Sequence, residues 1–323
     1  MKRREFITLL RGAAASPLAA YAQQVGKRLR VGTASTQPRS SSLWTAFEKR
    51  MAELGYQESK SYTFEYLNVP RIEDYESGFR QLVARDVDIM VASGTEISLK
   101  SALASSDTKP IVMVAVDYDP LVHGYVTSLA RPTGNVTGLF LQQIELTAKR
   151  LQLLKSAFPD MQALTVFWDR TCFDQWEAAQ GAASTLGLGL AGVDLGVPPF
   201  DYDKALAQAK PEYRGTVFAL ASGFFLRDRE RFADFALRNR PVSMFPFREA
   251  VDVGGLLSYG ASFTGMYGRA AEYVDRLARG AKPADLPIEQ PTKFELVINL
   301  KTAKALGIAI PANLLVQAEE VIE

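Results

Sequence analysis

Cysteine and histidine each occur once in this chain of 323 residues, and their scarcity excludes much of the chemistry that enzymes use. Cys172 has no second cysteine with which to form an internal disulfide or a cysteine-rich zinc site. A single histidine, His123, argues against a histidine-based metal site and against a Ser-His or Cys-His catalytic pair. We therefore expect no metal, no cofactor and no catalytic residue in this protein.

An excess of charge of one sign is also missing. The chain has 37 Lys and Arg residues against 36 Asp and Glu residues, which gives a formal net charge of +1. This balance excludes the strongly basic character of a protein that wraps nucleic acid, so we expect no nucleic-acid partner. Nucleotide-binding motifs are lacking where they would be expected, since no G-x-G-x-x-G follows the first predicted strand and no G-x-x-x-x-G-K-[ST] occurs. The length suits about two domains.

The first 22 residues are arranged like a bacterial secretory signal peptide. Basic residues at positions 2–4 precede a modest apolar run, which ends in an A-x-A cleavage pattern. The pair Arg3-Arg4 resembles a twin-arginine export signal. An uncleaved membrane anchor is the alternative, but Arg11 interrupts a segment that would need about 20 mostly apolar residues to span a bilayer. We expect cleavage near Ala22 and export to the periplasm.

Strand and helix patterns alternate along the rest of the chain. Apolar runs such as 87–92 and 111–116 are typical of buried strands, and segments with helical spacing, such as 42–54 and 73–85, separate them. Continuous apolar strands between helices predict a parallel sheet that is covered on both faces and connected by right-handed crossovers. Because the series restarts at residue 135, we predict an α/β chain with two doubly wound, Rossmann-like halves.

The final segment, residues 266–323, is too short to form a third domain. Its pattern predicts a helix over 267–279, a strand over 292–299 and a helix over 300–306. We therefore expect this segment to pack on the two halves.

Small polar residues follow the predicted strands in both halves. Because ligands of open α/β sheets bind outside the carboxyl ends of the strands, these residues are candidates for a ligand site. Hydroxyls and backbone amides can hold a carboxylate, and an aspartate can hold an ammonium group. For each serine or threonine, the alternative role is to cap the following helix. The candidate ligand-binding residues are Ser35, Ser93, Gly94, Thr95, Asp117, Asp169, Ser222 and Tyr259.

Several segments form a recognisable family pattern from end to end of the chain. They are the leader, 91–95 (VASGT), 129–132 (LARP), 134–138 (GNVTG), 246–249 (PFRE), 254–260 (GGLLSYG), 267–274 (YGRAAEYV), 280–287 (GAKPADLP) and 289–307. The chain resembles the substrate-binding proteins of ABC transporters, in the group that includes tryptophan- and phenylalanine-binding members. Two loops depart from this family's pattern, because residues 169–172 and 222–226 stand where most relatives have Asn-Pro-type and Pro-Asp-type loops.

The resemblance implies a type I periplasmic-binding-protein fold, in which a three-segment hinge joins two lobes around a ligand cleft. Lobe one would comprise residues 26–139 plus 262–286, and lobe two would comprise residues 140–261 plus 287–323. The implied function is the exported solute-binding component of an ABC importer, a monomer that captures a small polar molecule such as an amino acid or related carboxylate. Its implied partner is an ABC permease in the inner membrane. An exported α/β enzyme that uses cleft carboxylates and a ligand-sensing subunit of a membrane receptor are the alternatives.

Overall fold

Two β-sheets organise residues 28–323, the part of the chain that this computed structural model describes. The predicted signal peptide, residues 1–22, lies outside the described residues. One sheet has five strands and the other has seven, and helices pack on both faces of each sheet. The two doubly wound halves that the sequence predicts are therefore confirmed.

The first sheet is built from alternating strands and helices at the start of the chain. They are β1 (Leu29–Ser35), α1 (Ser42–Glu53), β2 (Tyr62–Asn68), α2 (Tyr75–Ala84), β3 (Ile89–Gly94), α3 (Glu96–Ser105), β4 (Ile111–Ala115) and β5 (Val136–Phe140). All strands are parallel, in the order β2-β1-β3-β4-β5. Every residue of β4 is buried, because Val112 and Val114 face the layer of α1 while Met113 faces the layer of α2 and α3.

The second sheet belongs to the remainder of the chain. The elements in this part are α4 (Gln143–Ala157), β6 (Ala163–Trp168), α5 (Phe173–Leu186), β7 (Gly189–Asp194), α6 (Tyr202–Gln208), β8 (Thr216–Ala219), α7 (Gly223–Arg227), α8 (Arg229–Asn239), β9 (Val242–Phe245), α9 (Arg248–Asp252), β10 (Leu257–Ala261), α10 (Phe263–Ala278), β11 (Phe294–Asn299), α11 (Leu300–Leu306), α12 (Ala312–Leu315) and β12 (Glu320–Ile322). The strand order is β12-β11-β10-β9-β8-β6-β7. Helices α4 and α5 pack on one face, and α6 and α8 on the other.

None of the helices between residues 28 and 323 is both long and apolar enough to cross a membrane.

Helix α10 packs on the first sheet although it follows most of the second sheet in sequence. Its N-cap is Ser262, whose hydroxyl accepts the N–H of Gly265 at 3.2 Å. Its buried face, which includes Tyr267, contacts α1 and the strands β3, β4 and β5. The chain then runs beside β5, where the N–H of Glu289 donates to the carbonyl of Gly138 at 2.9 Å. It therefore crosses between the lobes three times: after β5, at Ser262 and after Glu289.

The tail differs in detail from its predicted pattern. Helix α10 begins at Phe263, four residues before the predicted start, and β11 begins at Phe294. The return to the second sheet follows Glu289, beyond the boundary at Leu286 that the resemblance implies. β11 pairs antiparallel with β10, a direction that apolar periodicity does not encode. The elements α7, α9, α12 and β12 are too short for their periodicity to predict them.

Candidate functional site

A cavity lies where the carboxyl ends of the first sheet meet the second lobe. Its volume is about 20 Å³, which is room for about one water molecule, and it opens to solvent. The loops after β1, β3 and β4 supply one wall, α2 and α10 supply aromatic rings, and α7 of the second lobe closes the opposite side. The lining residues are Ser35, Thr36, Gln37, Leu43, Tyr75, Ser93, Gly94, Thr95, Val116, Gly223, Leu226, Phe263 and Tyr267.

The strand order explains why the cavity forms at this edge. β1 lies between β2 and β3, so the connections that leave β1 and β3 turn in opposite directions and open a crevice between them. Ser35 ends β1 and Gly94 ends β3, with Thr95 immediately after it. The structure thus brings four of the eight predicted residues together at the cavity: Ser35, Ser93, Gly94 and Thr95. That they bind a ligand stays a prediction.

Gly94 and Thr95 leave this edge open. Gly94 has a φ of +89°, and a Cβ there would meet nothing within 4 Å, so the backbone conformation rather than crowding favours glycine. Thr95 occupies the N-cap position of α3, but its side chain makes no capping hydrogen bond. Among residues 28–323, its buried Oγ1 finds no hydrogen-bond partner. The capping alternative is therefore wrong for Thr95, whose hydroxyl is available at the cavity wall.

Asp117 bonds the start of α3 from the end of β4. Its Oδ1 accepts the N–H of Glu96 at 3.1 Å, while its buried Oδ2 has no partner within the described chain. Burial raises the pKa of Asp117 well above that of a free aspartate, and the negative charge of Asp169 in the second lobe raises it further, while hydrogen bonds from the Glu96 N–H and the Thr171 side chain partly oppose the rise. Asp117 follows the lining residue Val116, but it does not itself line the cavity.

Asp169 and Ser222 end neighbouring strands of the second sheet and bond each other. The Ser222 hydroxyl donates to Asp169 Oδ2 at 2.5 Å, and Thr171 donates to Oδ1 from its N–H and its hydroxyl, at 2.8 and 2.6 Å. Ser222 Oγ also accepts the N–H of Phe224, which caps α7. Burial raises the pKa of Asp169, and its bonds with Ser222 and Thr171 oppose this rise. Neither of these two predicted residues lines the cavity, and their side chains bond within their own lobe.

Tyr259 lies away from the cavity, which corrects its predicted position. Its ring packs beside Phe294 of the neighbouring strand, with centroids 6.1 Å apart, because β10 runs into the hinge instead of ending at an open edge. Its backbone carbonyl accepts a hydrogen bond from Nε of the buried Arg150 at 2.6 Å, and Nη2 of Arg150 donates to Oε1 of Gln143 at 2.6 Å. Burial lowers the pKa of Arg150 to about 9. The Arg150 guanidinium therefore links β10, which precedes the crossing at Ser262, to the start of α4 through hydrogen bonds.

The apolar wall of the cavity was not among the predicted residues. Phe263 and Tyr267 come from α10, far along the chain from the strand ends that they meet, and Tyr75 opens α2. The sequence indicated these rings only indirectly, because it predicted that the tail, with its helix, packs on the two halves. Gln37 was also missed, although its Nε2 donates to the carbonyl of Gly223 at 2.8 Å across the cleft.

A further carboxylate comes from the second lobe. Glu249 lies in the first turn of α9 and is buried, and neither of its carboxylate oxygens has a partner among the residues that the structure describes. Burial raises the pKa of Glu249. Glu249 does not line the cavity, but it follows Phe247, whose ring stacks on the lining residue Phe263 with centroids 4.7 Å apart. The sequence could have indicated Glu249 as a candidate site residue because it is a carboxylate that follows a strand, β9.

Two α/β lobes that meet around a cleft and are joined by three crossings define a hinged ligand-binding protein. A family model described as "ABC transporter substrate binding protein" matches residues 38–186 and 239–322. The chain belongs to the ABC transporter substrate-binding protein family. The resemblance that the sequence motifs indicated is therefore confirmed.

The individual relatives are distant in sequence and close in fold. The tyrosine-binding protein of Clostridioides difficile (strain R20291) is 23% identical over 272 residues, which cover 81% of this chain and 75% of that protein. The ABC domain from Streptococcus pneumonia in complex with L-Trp has a TM-score of 0.79 at 21% identity, over 92% of this chain and 100% of that one. A conserved domain protein from Vibrio cholerae O1 biovar eltor has a TM-score of 0.81 at 22% identity, over 91% and 100%. These likenesses confirm the type I periplasmic-binding-protein fold.

Proposed function

We propose that this protein is the solute-binding component of an ABC importer and that its cleft captures an amino acid with an aromatic side chain. The supporting observation is a set of buried polar atoms near the cleft that have no partner within residues 28–323. They are Thr95 Oγ1, Asp117 Oδ2 and both carboxylate oxygens of Glu249. Because buried polar groups in folded proteins are nearly always hydrogen-bonded to protein, water or ligand, these atoms are candidates to accept hydrogen bonds from a ligand.

The chemistry of these atoms selects the charge of the ligand. Three of the four are carboxylate oxygens, which accept hydrogen bonds when ionised, and the Thr95 hydroxyl can accept one as well. When these carboxyls are ionised, a ligand that satisfies them has to donate, and an ammonium group donates the strongest bonds to carboxylates. Its positive charge would also counteract the burial that raises the pKa of Asp117 and of Glu249. An amine therefore fits this cleft better than a carboxylate alone.

The rest of the wall suits an apolar side chain. Tyr75, Phe263 and Tyr267 present rings, and Leu43 and Val116 present aliphatic groups. Aromatic ligands pack against such rings in offset or edge-to-face arrangements. The tyrosine-binding relative and the L-Trp complex support an aromatic amino acid as the ligand class.

In this arrangement of the lobes the cavity is too small for an amino acid, so the lobes would open to admit the ligand and close to hold it, without catalysis. Phe247 of the second lobe stacks on Phe263 with centroids 4.7 Å apart, so apolar surface is already buried between the lobes. We propose residues 26–139 with 262–289 as lobe one and residues 140–261 with 290–323 as lobe two, because Glu289 still bonds β5 of the first sheet. Family membership and the leader pattern support export to the periplasm, action as a monomer, and delivery of the ligand to an ABC permease in the inner membrane.

Thermal denaturation of the purified protein with matched small molecules tests the ligand class. L-tyrosine, L-tryptophan and L-phenylalanine are compared with 3-(4-hydroxyphenyl)propanoate and 4-hydroxybenzoate, which lack the ammonium group. A ligand at 100 times its dissociation constant stabilises the folded protein by about 2.7 kcal/mol. We expect at least one amino acid to raise the midpoint and the two carboxylates to have little effect. Stabilisation by the carboxylates alone would contradict the proposal.

A further inference from the structure

The single histidine of the sequence bridges the two lobes beside the cleft. His123 lies between β4 and β5 of lobe one, and its Nδ1 is 2.6 Å from Oε1 of Glu96, the first residue of α3. Its Nε2 is 2.8 Å from Oδ2 of Asp174, in the first turn of α5 in lobe two. One ring nitrogen therefore contacts its own lobe, and the other contacts the opposite lobe.

Both contacts together require a protonated imidazole. An ionised carboxylate only accepts hydrogen bonds, so each ring nitrogen must carry a hydrogen to bond it. The neutral ring carries one N–H, and its second nitrogen would then turn a lone pair toward a carboxylate oxygen. The bridge between Glu96 and Asp174 is complete only when His123 is an imidazolium.

The groups of lobe one that surround His123 would keep their positions relative to the ring if the cleft opened. The titratable groups that lie near the ring or in its loop are Glu96, Lys100, Tyr118, Asp119 and Tyr125. The Tyr125 hydroxyl donates to Glu96 Oε1 at 2.6 Å, and Lys100 pairs with the same oxygen at 3.0 Å. Asp119 accepts backbone N–H groups of its own loop, and the rings of Tyr118 and Tyr125 lie 6.3 and 6.4 Å from the imidazole. Opening of the cleft would leave these contacts in place.

Asp174 is the group that faces the imidazole from lobe two, and opening would withdraw it. Burial lowers the pKa of His123, but the hydrogen bonds and charges of Glu96 and Asp174 outweigh burial, so the pKa is raised. The share that comes from Asp174 exists only while the lobes are together. Protonation of His123 and closure of the lobes therefore stabilise each other.

We propose that His123 is a proton-dependent latch that favours the closed cleft. Because closure raises the proton affinity of the ring, the latch is complete at pH values below the titration of the open form. It is lost as pH rises through the titration of the closed form, above the usual imidazole value of about 6.5. The proposal adds regulation to the proposed binding function, but its tests need no ligand.

A first experiment measures the proton affinity of the latch directly. With one histidine in the sequence, NMR titration of histidine-labelled protein reports His123 alone. We expect Asp174→Asn to lower the pKa of His123, and Asp234→Asn, which removes a charge from α8 of the same lobe, to leave it unchanged. An unchanged pKa in the Asp174→Asn protein would overturn the proposal.

A second experiment measures closure. Distances between spin labels at Lys49→Cys in lobe one and Lys204→Cys in lobe two, both exposed positions, are recorded at pH 6 and pH 8.5. Since exposed ion pairs are worth little, we expect a change in the closed-to-open ratio of about two- to fivefold, with closure favoured at pH 6. His123→Gln should abolish this change. Asp117 and Asp169 also act on each other across the interface, so an equal change in the His123→Gln protein would assign the effect to them and overturn the latch.

Discussion

Thr95 and Asp117 at one strand edge of the cleft differ from Ser222 and Asp169 at the other edge in how fully their own lobe satisfies their side chains. At the edge of the first sheet, Thr95 and Asp117 each keep a buried oxygen without a partner in the described part of the chain. At the edge of the second sheet, Ser222 and Asp169 bond each other at 2.5 Å. A hydroxyl or carboxylate at the end of a parallel strand is therefore open to a ligand only where its own lobe leaves it unsatisfied.

The comparison also gives meaning to the two loops that depart from the family's pattern. Residues 169–172 contain the acceptor of this bond and residues 222–226 contain its donor. The two loops that depart from the family's pattern therefore satisfy each other's buried polar groups. What this edge presents to the cavity is the backbone of Gly223 and the apolar side chain of Leu226. We infer that the second edge serves mainly as a lid, with Glu249 as its polar contribution to the ligand.

The largest expected effect is that of Glu249→Gln. Affinity for the best-bound aromatic amino acid should fall about 30-fold or more, because loss of one partner of a buried charge pair costs about 2–5 kcal/mol. The ligand-free variant should be more stable than wild type at neutral pH, since burial raises the pKa of Glu249 and so disfavours its ionised form. This gain should fade as pH falls and the wild-type carboxyl becomes protonated. Calorimetric titration and thermal unfolding measure the two effects.

Glu230→Gln is the matched control for this change, because Glu230 is an exposed glutamate on α8 of the same lobe. Its affinity and stability should equal those of the wild type. Equal affinities of the two variants would contradict the assignment of Glu249 to the ligand.

Ser222→Ala should affect stability more than binding. The change removes a donor from the buried carboxylate of Asp169, and an unsatisfied buried group costs about 1–3 kcal/mol in the free energy of unfolding. Denaturant unfolding measures the loss, with the exposed Ser184→Ala on α5 as the control. A large loss of affinity without a loss of stability would show that Ser222 faces the ligand and that the two edges are alike.

Thr95→Val should affect binding more than stability, the reverse of what we expect for Ser222→Ala. The valine keeps the shape of the side chain and removes a hydroxyl that makes no hydrogen bond within residues 28–323, so stability should not fall. Affinity should fall about fivefold, which corresponds to the loss of one hydrogen bond of roughly 1 kcal/mol. Thr165→Val is the control, since its Oγ1 donates to the Tyr213 carbonyl at 3.0 Å and its loss should lower stability alone. Exchanged outcomes for the two variants would refute the comparison.

Tyr259→Phe should have the smallest effect. The Tyr259 side chain lies outside the cavity, and its backbone carbonyl, which the substitution preserves, makes the bond to Arg150. We expect stability within about 0.5 kcal/mol of the wild type and unchanged affinity in calorimetric titration. A tenfold weaker affinity would restore the ligand contact that the sequence predicted for Tyr259.

The sequence predicts the two sheets and the first edge of the cleft because those features are local. Apolar runs and helix spacing define strands such as 111–116, and the rule for open sheets then places Ser35 and residues 93–95 at a ligand crevice. Both depend on neighbours along the chain. The predicted residues at the ends of β1 and β3 therefore line the cavity, whereas Asp117 after β4 does not.

The remaining features depend on side chains that meet from distant segments. The Asp169–Ser222 bond joins loops 53 residues apart, and nothing in either loop alone shows that the two side chains will pair. Tyr259 resembles a strand-end residue, but the antiparallel partner β11 and the hinge remove its strand end from the open edge. Phe263 and Tyr267 reach the cavity only because α10 crosses back to the first sheet.

The central claim, that unpaired buried carboxylates beside the cleft receive an ammonium group, is tested most directly by proton release on binding. L-tyrosine or L-tryptophan is titrated calorimetrically between pH 5 and pH 8 in buffers of different ionisation enthalpy, with His123→Gln protein so that the latch contributes nothing. Because burial raises the pKa of Asp117 and of Glu249 in the ligand-free protein, binding of an ammonium group should release protons. The release should be smaller in the Glu249→Gln variant. Binding without proton release at any pH, or with proton uptake, would contradict the account.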